Sequence, residues 1–159
     1  MSLTLRSPAF AAYAPIDVRY TCEGEDISPA MAWSGIPEDT QSLALIMDDA
    51  DATAPSAPWV HWVLYNLSPE LAGLPEAINT ENLPRGALAG SNDWRRTGYK
   101  GPCPTIGRHR YYFTLYALDS MLPDLDRPTK RQLEKAMQGH VLGKGELMGT
   151  YRKTLTANP

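Results

Sequence analysis

A chain of 159 residues fits one domain, 1–159, long enough to bury roughly two-thirds of the surface it exposes when unfolded. Its 43% hydrophobic and 21% charged residues are those of a folded globular protein rather than a disordered one. A formal charge of −3 excludes non-specific nucleic-acid binding, which needs a clustered basic surface, and Arg108 and Arg110 around His109 are too few to make one.

In chain order, the opening MSLTLRSPAF has one arginine and no long apolar stretch, so it does not read as a signal peptide. No apolar run approaches the roughly 18 residues of a membrane span, and a cytoplasmic location is expected. Ser2–Ser7 and Met31–Trp33 are weak strand candidates. Between them lies Cys22, which with Cys103 makes neither a disulfide framework nor a CxxC motif; in a reducing compartment both are expected to be free thiols. Only a Cα separation below about 7 Å permits a bridge. SLALIMDD (Ser42–Asp49) and WVHWVLYNL (Trp59–Leu67) are strong strands, short and apolar, with DDADATAP between them reading as a turn. RYYFTLYALD (Arg110–Asp119) is apolar on both parities, which predicts a central strand covered on both faces. Thr129 and Gln132 form a capping-box pattern ahead of a helix with Leu133, Ala136 and Met137 on one face, closed by Gly139. Glu146–Leu155 is a last weak strand. GKGELMG at Gly143–Gly149 has the wrong spacing for a dinucleotide fingerprint. Fourteen prolines and 12 glycines punctuate the whole, and a β-sandwich with one late helix follows.

Period-2 alternation sorts the strands into faces. Tyr111, Phe113, Leu115 and Ala117 share one with His109; Trp59, His61, Val63, Tyr65 and Leu67 share another; Leu43, Leu45 and Met47 lead on to Asp49 and Asp51. Each set is apolar in the middle and polar at one end, so two histidines, two aspartates and a tyrosine can converge at one mouth of the core. Taken singly, His61 reads equally as a core imidazole, and the four tryptophans as packing. Three chemistries fit the convergence. Imidazole and carboxylate bind metals, but no HxH, HExxH or HxxE spacing sets two ligands on one element, so no metal or other cofactor is expected. Cys103 and His109 form a possible nucleophile pair, though nothing marks the thiol as activated and no catalytic residue is assigned. Anion capture is the third: imidazole, tyrosine and loop N–H groups donate to phosphate or carboxylate while an aspartate accepts from an attached ammonium.

The blocks CEGEDISPAMAWSGIPEDTQSLALIMDDADA, WVHWVLYNL, GYKGPCPTIGRHRYYFTLYALD and HVLGKGELMGTY, in that order and spacing, resemble the phosphatidylethanolamine-binding protein family in its bacterial, Raf-kinase-inhibitor-like branch. The resemblance implies a PEBP-like sandwich of two antiparallel sheets with a small anion pocket at one end. It implies ligand-binding roles for Asp49, Asp51, His61, Pro104, His109 and Tyr111, with the Gly101–Gly107 loop as one wall. Ala50 and Thr105 stand where relatives carry proline, which is expected to soften the pocket loops. The expected ligand is a phosphate-like or phosphoethanolamine-like head group, with a homodimer and a protein partner both possible. The alternatives are a phospho-dependent interaction module or kinase-inhibitor-like adaptor, and an acid–base hydrolase using His109 and an aspartate.

Overall fold

The computed structural model describes residues 3–53 and 58–153. Among them run β1 (Thr4–Arg6), β2 (Met31–Ser34), β3 (Ser42–Asp49), β4 (Trp59–Leu67), β5 (Gly73–Leu74), β6 (Leu88–Ala89), β7 (Arg108–Leu118), helix α1 (Lys130–Met137) and β8 (Val141–Arg152). The pairings between these strands are antiparallel, in a five-stranded sheet of order β6-β4-β3-β7-β8 and a three-stranded sheet of order β1-β2-β5. The expected sandwich with a short late helix is the fold found. The outer ends of the two weak strands, at Ser2, Thr154 and Leu155, lie outside the described residues. β8 starts five residues ahead of the expected Glu146, and GKGELMG lies within it.

The central strand is β3 rather than β7. Leu43 to Met47 are at most 2% exposed, because the small sheet covers one face and α1 the other. β7 is bonded on both sides, but its second face, with Tyr112, Thr114 and Tyr116, is only half-buried. The first core joins the inner face of the large sheet (Leu43, Leu45, Met47, Phe113, Leu115) to Leu5, Met31 and Trp33. The second joins Ala44, Ile46, Val60, Val63 and Tyr65 to Leu133 and Met137 of α1. Thr129 caps that helix through its side chain in a complete capping box with Gln132, and Gly139 takes the left-handed conformation (φ 82°) just past its end. No helix of the described residues is long and apolar enough to cross a membrane.

Strict alternation fails in β4, where two register shifts each insert one residue. Met47 pairs with Trp62 and Asp48 with Val60, which leaves His61 as the extra residue. Leu43 pairs with Leu67 and Leu45 with Leu64, so a second extra residue falls at Tyr65–Asn66, with Asn66 in the left-handed region (φ 56°). The expected face Trp59-His61-Val63-Tyr65-Leu67 is therefore split. Trp62, Leu64 and Leu67 enter the first core, and Val60, Val63 and Tyr65 enter the second.

Asn66 holds its bulge by donating to the Leu122 carbonyl (2.7 Å) and accepting from the Leu122 amide (2.9 Å). Asn66→Ala is expected to lower the unfolding free energy by roughly 3 kcal/mol, since it orphans two buried backbone groups and puts alanine at positive φ. Asn66→Gly should lose about 1 kcal/mol less, because glycine accepts that φ. Urea denaturation of the two variants checks both values; equal losses would remove the backbone contribution.

Candidate functional site

The C-terminal end of β3 meets the start of β4 on one side and the start of β7 on the other: Asp49 is in register with both Trp59 and Tyr111. A cavity of about 190 Å³ opens there, lined by Asp49, Trp59, His61, Trp94, Pro104 and His109, with Ala52, Thr53, Cys103 and Thr105 completing it. That is smaller than the roughly 300–1,000 Å³ of pockets for drug-sized ligands.

At its floor Asp49 and His109, 4% and 8% exposed, are joined by a 2.7 Å contact between Oδ2 and Nδ1. The other Asp49 oxygen accepts from the Asp51 amide at 2.8 Å. His109 Nε2 meets the Ile106 carbonyl at 3.1 Å, on a loop whose tip is open to solvent: Ile106 is 79% exposed. Carboxylate and carbonyl are both acceptors, so only the doubly protonated ring donates to both at once.

His61 is held differently. Its Nδ1 lies 2.5 Å from the Lys100 carbonyl, an acceptor only, so that nitrogen carries the proton. Burial pushes the ring below its usual value near 6.5, outweighing the opposing pull of that carbonyl and of Asp49. A neutral ring with Nδ1–H committed leaves Nε2 as an acceptor. The ring packs edge-on to Trp94 (centroids 4.9 Å) and Tyr111 (5.3 Å).

Tyr111 is fully buried and does not line the cavity. Its hydroxyl is close enough to Asp49 and the Cys103 backbone to feel both, yet makes a full hydrogen bond with no partner among the described residues. Burial first, then the Asp49 charge, pushes the phenol far above its usual range, so it remains an O–H donor. Asp51 does not line the cavity either. It clamps Arg110, accepting from its backbone amide (2.8 Å), Nε (2.9 Å) and Nη2 (2.8 Å), and the guanidinium hydrogen bond holds its carboxyl down to about 2. The expected softening at Ala50 is offset: the amide a proline would lack donates to the Arg110 carbonyl at 3.0 Å. Residues 54–57 of the insertion that follows lie outside the described residues.

The cysteines overturn the expectation of free thiols. Cys22 and Cys103 form a disulfide with a Cα separation of 5.4 Å. The bond fixes the Gly101–Gly107 loop against the Cys22 segment, as do the Cys22 amide bonded to the Pro102 carbonyl (3.1 Å) and the Gly101 amide bonded to Asp26 (2.7 Å). The approach is so close that a Cβ on Gly101 would lie 2.1 Å from the Tyr20 carbonyl oxygen. With its sulfur bonded, Cys103 cannot be the thiol of a nucleophile pair with His109.

The sequence reading missed the aromatic walls. Trp59 and Trp94, taken as packing, meet edge to face at 5.6 Å and both line the cavity. Nothing local signals Trp94, which the fold brings from the loop after β6. Among the described residues no group of three His, Cys, Asp or Glu side chains could hold a metal ion.

The family model described as phosphatidylethanolamine-binding protein matches residues 6–152. A UPF0098 protein of Methanothermobacter thermautotrophicus is 47% identical over 152 residues, 95% of this chain and 99% of the relative. A putative phosphatidylethanolamine-binding protein homolog from Chlamydia trachomatis has a similar structure (TM-score 0.87, 42% identity, 96% and 99% of the two chains). So does Escherichia coli YbcL, described as a new member of the mammalian PEBP family (TM-score 0.89, 26% identity, 97% and 100%).

Removing the disulfide by Cys22→Ser with Cys103→Ser is expected to cost about 2–4 kcal/mol of stability, read from urea denaturation against the oxidised chain. His61 sets a pH dependence of defined sign. The unfolded chain takes up a proton below about 6.5 that the folded ring resists, so stability is complete above that value and falls as pH drops below it. His61→Asn, which keeps an N–H for Lys100, should flatten the decline by up to about 1.4 kcal/mol per pH unit. Unfolding curves between pH 7.5 and pH 5 on both proteins test it, and parallel profiles would refute the neutral ring.

Proposed function

The chain belongs to the phosphatidylethanolamine-binding protein family, and on that premise we propose that its cavity holds a small phosphorylated or carboxylated head group bearing an ammonium or hydroxyl substituent. The observation that carries the reading is the buried Asp49–His109 pair in an aromatic-lined cavity, beside a tyrosine hydroxyl with no full hydrogen bond among the described residues. The anion takes the His109 Nε2–H from the Ile106 carbonyl, and Tyr111 donates from below. Asp49 and His61 Nε2 accept from the substituent, and Trp59 and Trp94 offer ring faces to a cation. Donors beside acceptors in so small a space suit a zwitterion of the phosphoethanolamine kind. In this scheme Asp51 positions the loop through Arg110, Pro104 forms part of the wall, and His61 acts as an acceptor rather than as the second N–H donor.

A binding role is favoured over hydrolysis because the cavity's one sulfur is bonded in the disulfide and so is no nucleophile. Cytoplasmic residence belongs to the same proposal; there, reductants would reach the bond from its exposed Cys22 side.

Calorimetric titration with phosphoethanolamine, phosphate and acetate tests the pocket. Phosphoethanolamine is expected to bind most tightly, His109→Gln to weaken it at least tenfold, and Asp49→Asn to erase its advantage over phosphate. Absence of saturable binding to the wild-type chain would overturn the reading and turn the search to protein partners.

A further inference from the structure

Three of the seven non-glycine residues at positive φ, among those described, gather in one place that the cavity does not use. Arg95 (φ 62°), Asp126 (57°) and Arg127 (52°) line an open cleft of about 610 Å³ together with Ser91, Arg96 and Thr97. It shares no lining residue with the cavity. Left-handed backbone costs roughly 1–2 kcal/mol at each residue carrying a Cβ, so the two loops hold these conformations only because other contacts enforce them.

The enforcing contacts are visible. Asn92, 3% exposed, accepts from the Trp94 amide (2.9 Å) and the Arg96 amide (3.2 Å) and donates to the Gly98 carbonyl (3.0 Å). Its own backbone amide donates to the Arg96 carbonyl at 2.8 Å, and its carbonyl accepts from Arg95 at 3.0 Å. The facing loop is bolted on by Ser91, whose amide donates to the Pro128 carbonyl (2.7 Å) and whose hydroxyl donates to the Arg127 carbonyl (2.8 Å). Two braced turns thus bring three arginines to the lining of one cleft. Arg95 and Arg96 make no ion pair among the described residues, and the cleft's one carboxylate, Asp126, meets only its neighbour Arg127 at 3.5 Å, with both side chains largely exposed. Three arginines against one aspartate leave a local excess of two positive charges on a chain whose formal charge is −3.

We propose that this cleft is a second anion site, for a group with linked negative charges such as a diphosphate. Guanidinium forks pair two N–H groups with two oxygens of one phosphate, and a single monoanion would leave half of the excess charge unmatched. Backbone turns fixed in advance reduce the ordering cost of binding, and solvent exposure makes the site salt-sensitive.

Titration with inorganic pyrophosphate, followed by calorimetry at low and physiological salt, tests the site; adenosine diphosphate in a second arm distinguishes a nucleotide ester from the free anion. Saturable pyrophosphate binding is expected, at least tenfold weaker in Arg95→Asn and in Arg127→Asn and undetectable in the double variant. Asparagine tolerates the left-handed conformation, so these variants keep the turns, and an unchanged thermal midpoint verifies it. The titrations are made in the His109→Gln chain, which removes the anion donor of the other cavity, so that binding there does not mask the cleft. No saturation in the His109→Gln chain with its arginines intact, or unchanged affinity when Arg95 and Arg127 are replaced in that chain, would each overturn the assignment.

Discussion

One inserted residue sets the geometry on which the rest of the site depends. Had β4 continued in strict alternation past Val60, either Trp62 or His61 would have lost its present side of the sheet. The bulge lets both face the β2 side, one as core and one as the wall of a cavity, while Val60 points to α1. The Lys100 carbonyl then fixes the tautomer of the displaced ring. A second bulge at Asn66 restores the phase for Leu67. The chemistry at one end of the strand and the packing at the other are two consequences of one departure from period two.

That departure also marks how far the residues alone could be read. Strand bounds at Ser42–Asp49 and Trp59–Leu67 were legible because apolar β-branched and aromatic runs end at polar punctuation, and α1 because its cap and stripe agree. Bulges leave no such signature: Val63 and Tyr65 look like partners of His61 until pairing distances are known. The two-residue strands β5 and β6 are too short for any periodicity. The disulfide was invisible for another reason, since the cysteines are 81 positions apart and only the fold shows their Cα atoms 5.4 Å from each other. His109 and Asp49 could be suspected of meeting because each lies at the polar end of an apolar face, whereas Trp94 lies in a loop with no face to read.

The loop from Ser91 to Gly98 serves two surfaces at once. Trp94 points into the small cavity, while Arg95 and Arg96 line the cleft. Asn92, buried between them, anchors both, so any shift of this turn moves an aromatic wall and a basic patch together. Stiffness elsewhere comes from hydrogen bonding rather than from proline: the Arg110 clamp on Asp51 and the Ala50 amide do at the β3 end what a fixed φ does in other sequences.

The Cys22–Cys103 bond has a topological consequence as well as an energetic one. It closes a covalent ring that contains β2 through β6, including the neighbouring strands β3 and β4 of the large sheet that carry Asp49 and His61. A single backbone cut anywhere inside that ring releases no fragment. A nicked chain keeps its mass and migrates as one species until the bond is reduced, so damage within half of the domain stays hidden from any separation carried out under oxidising conditions.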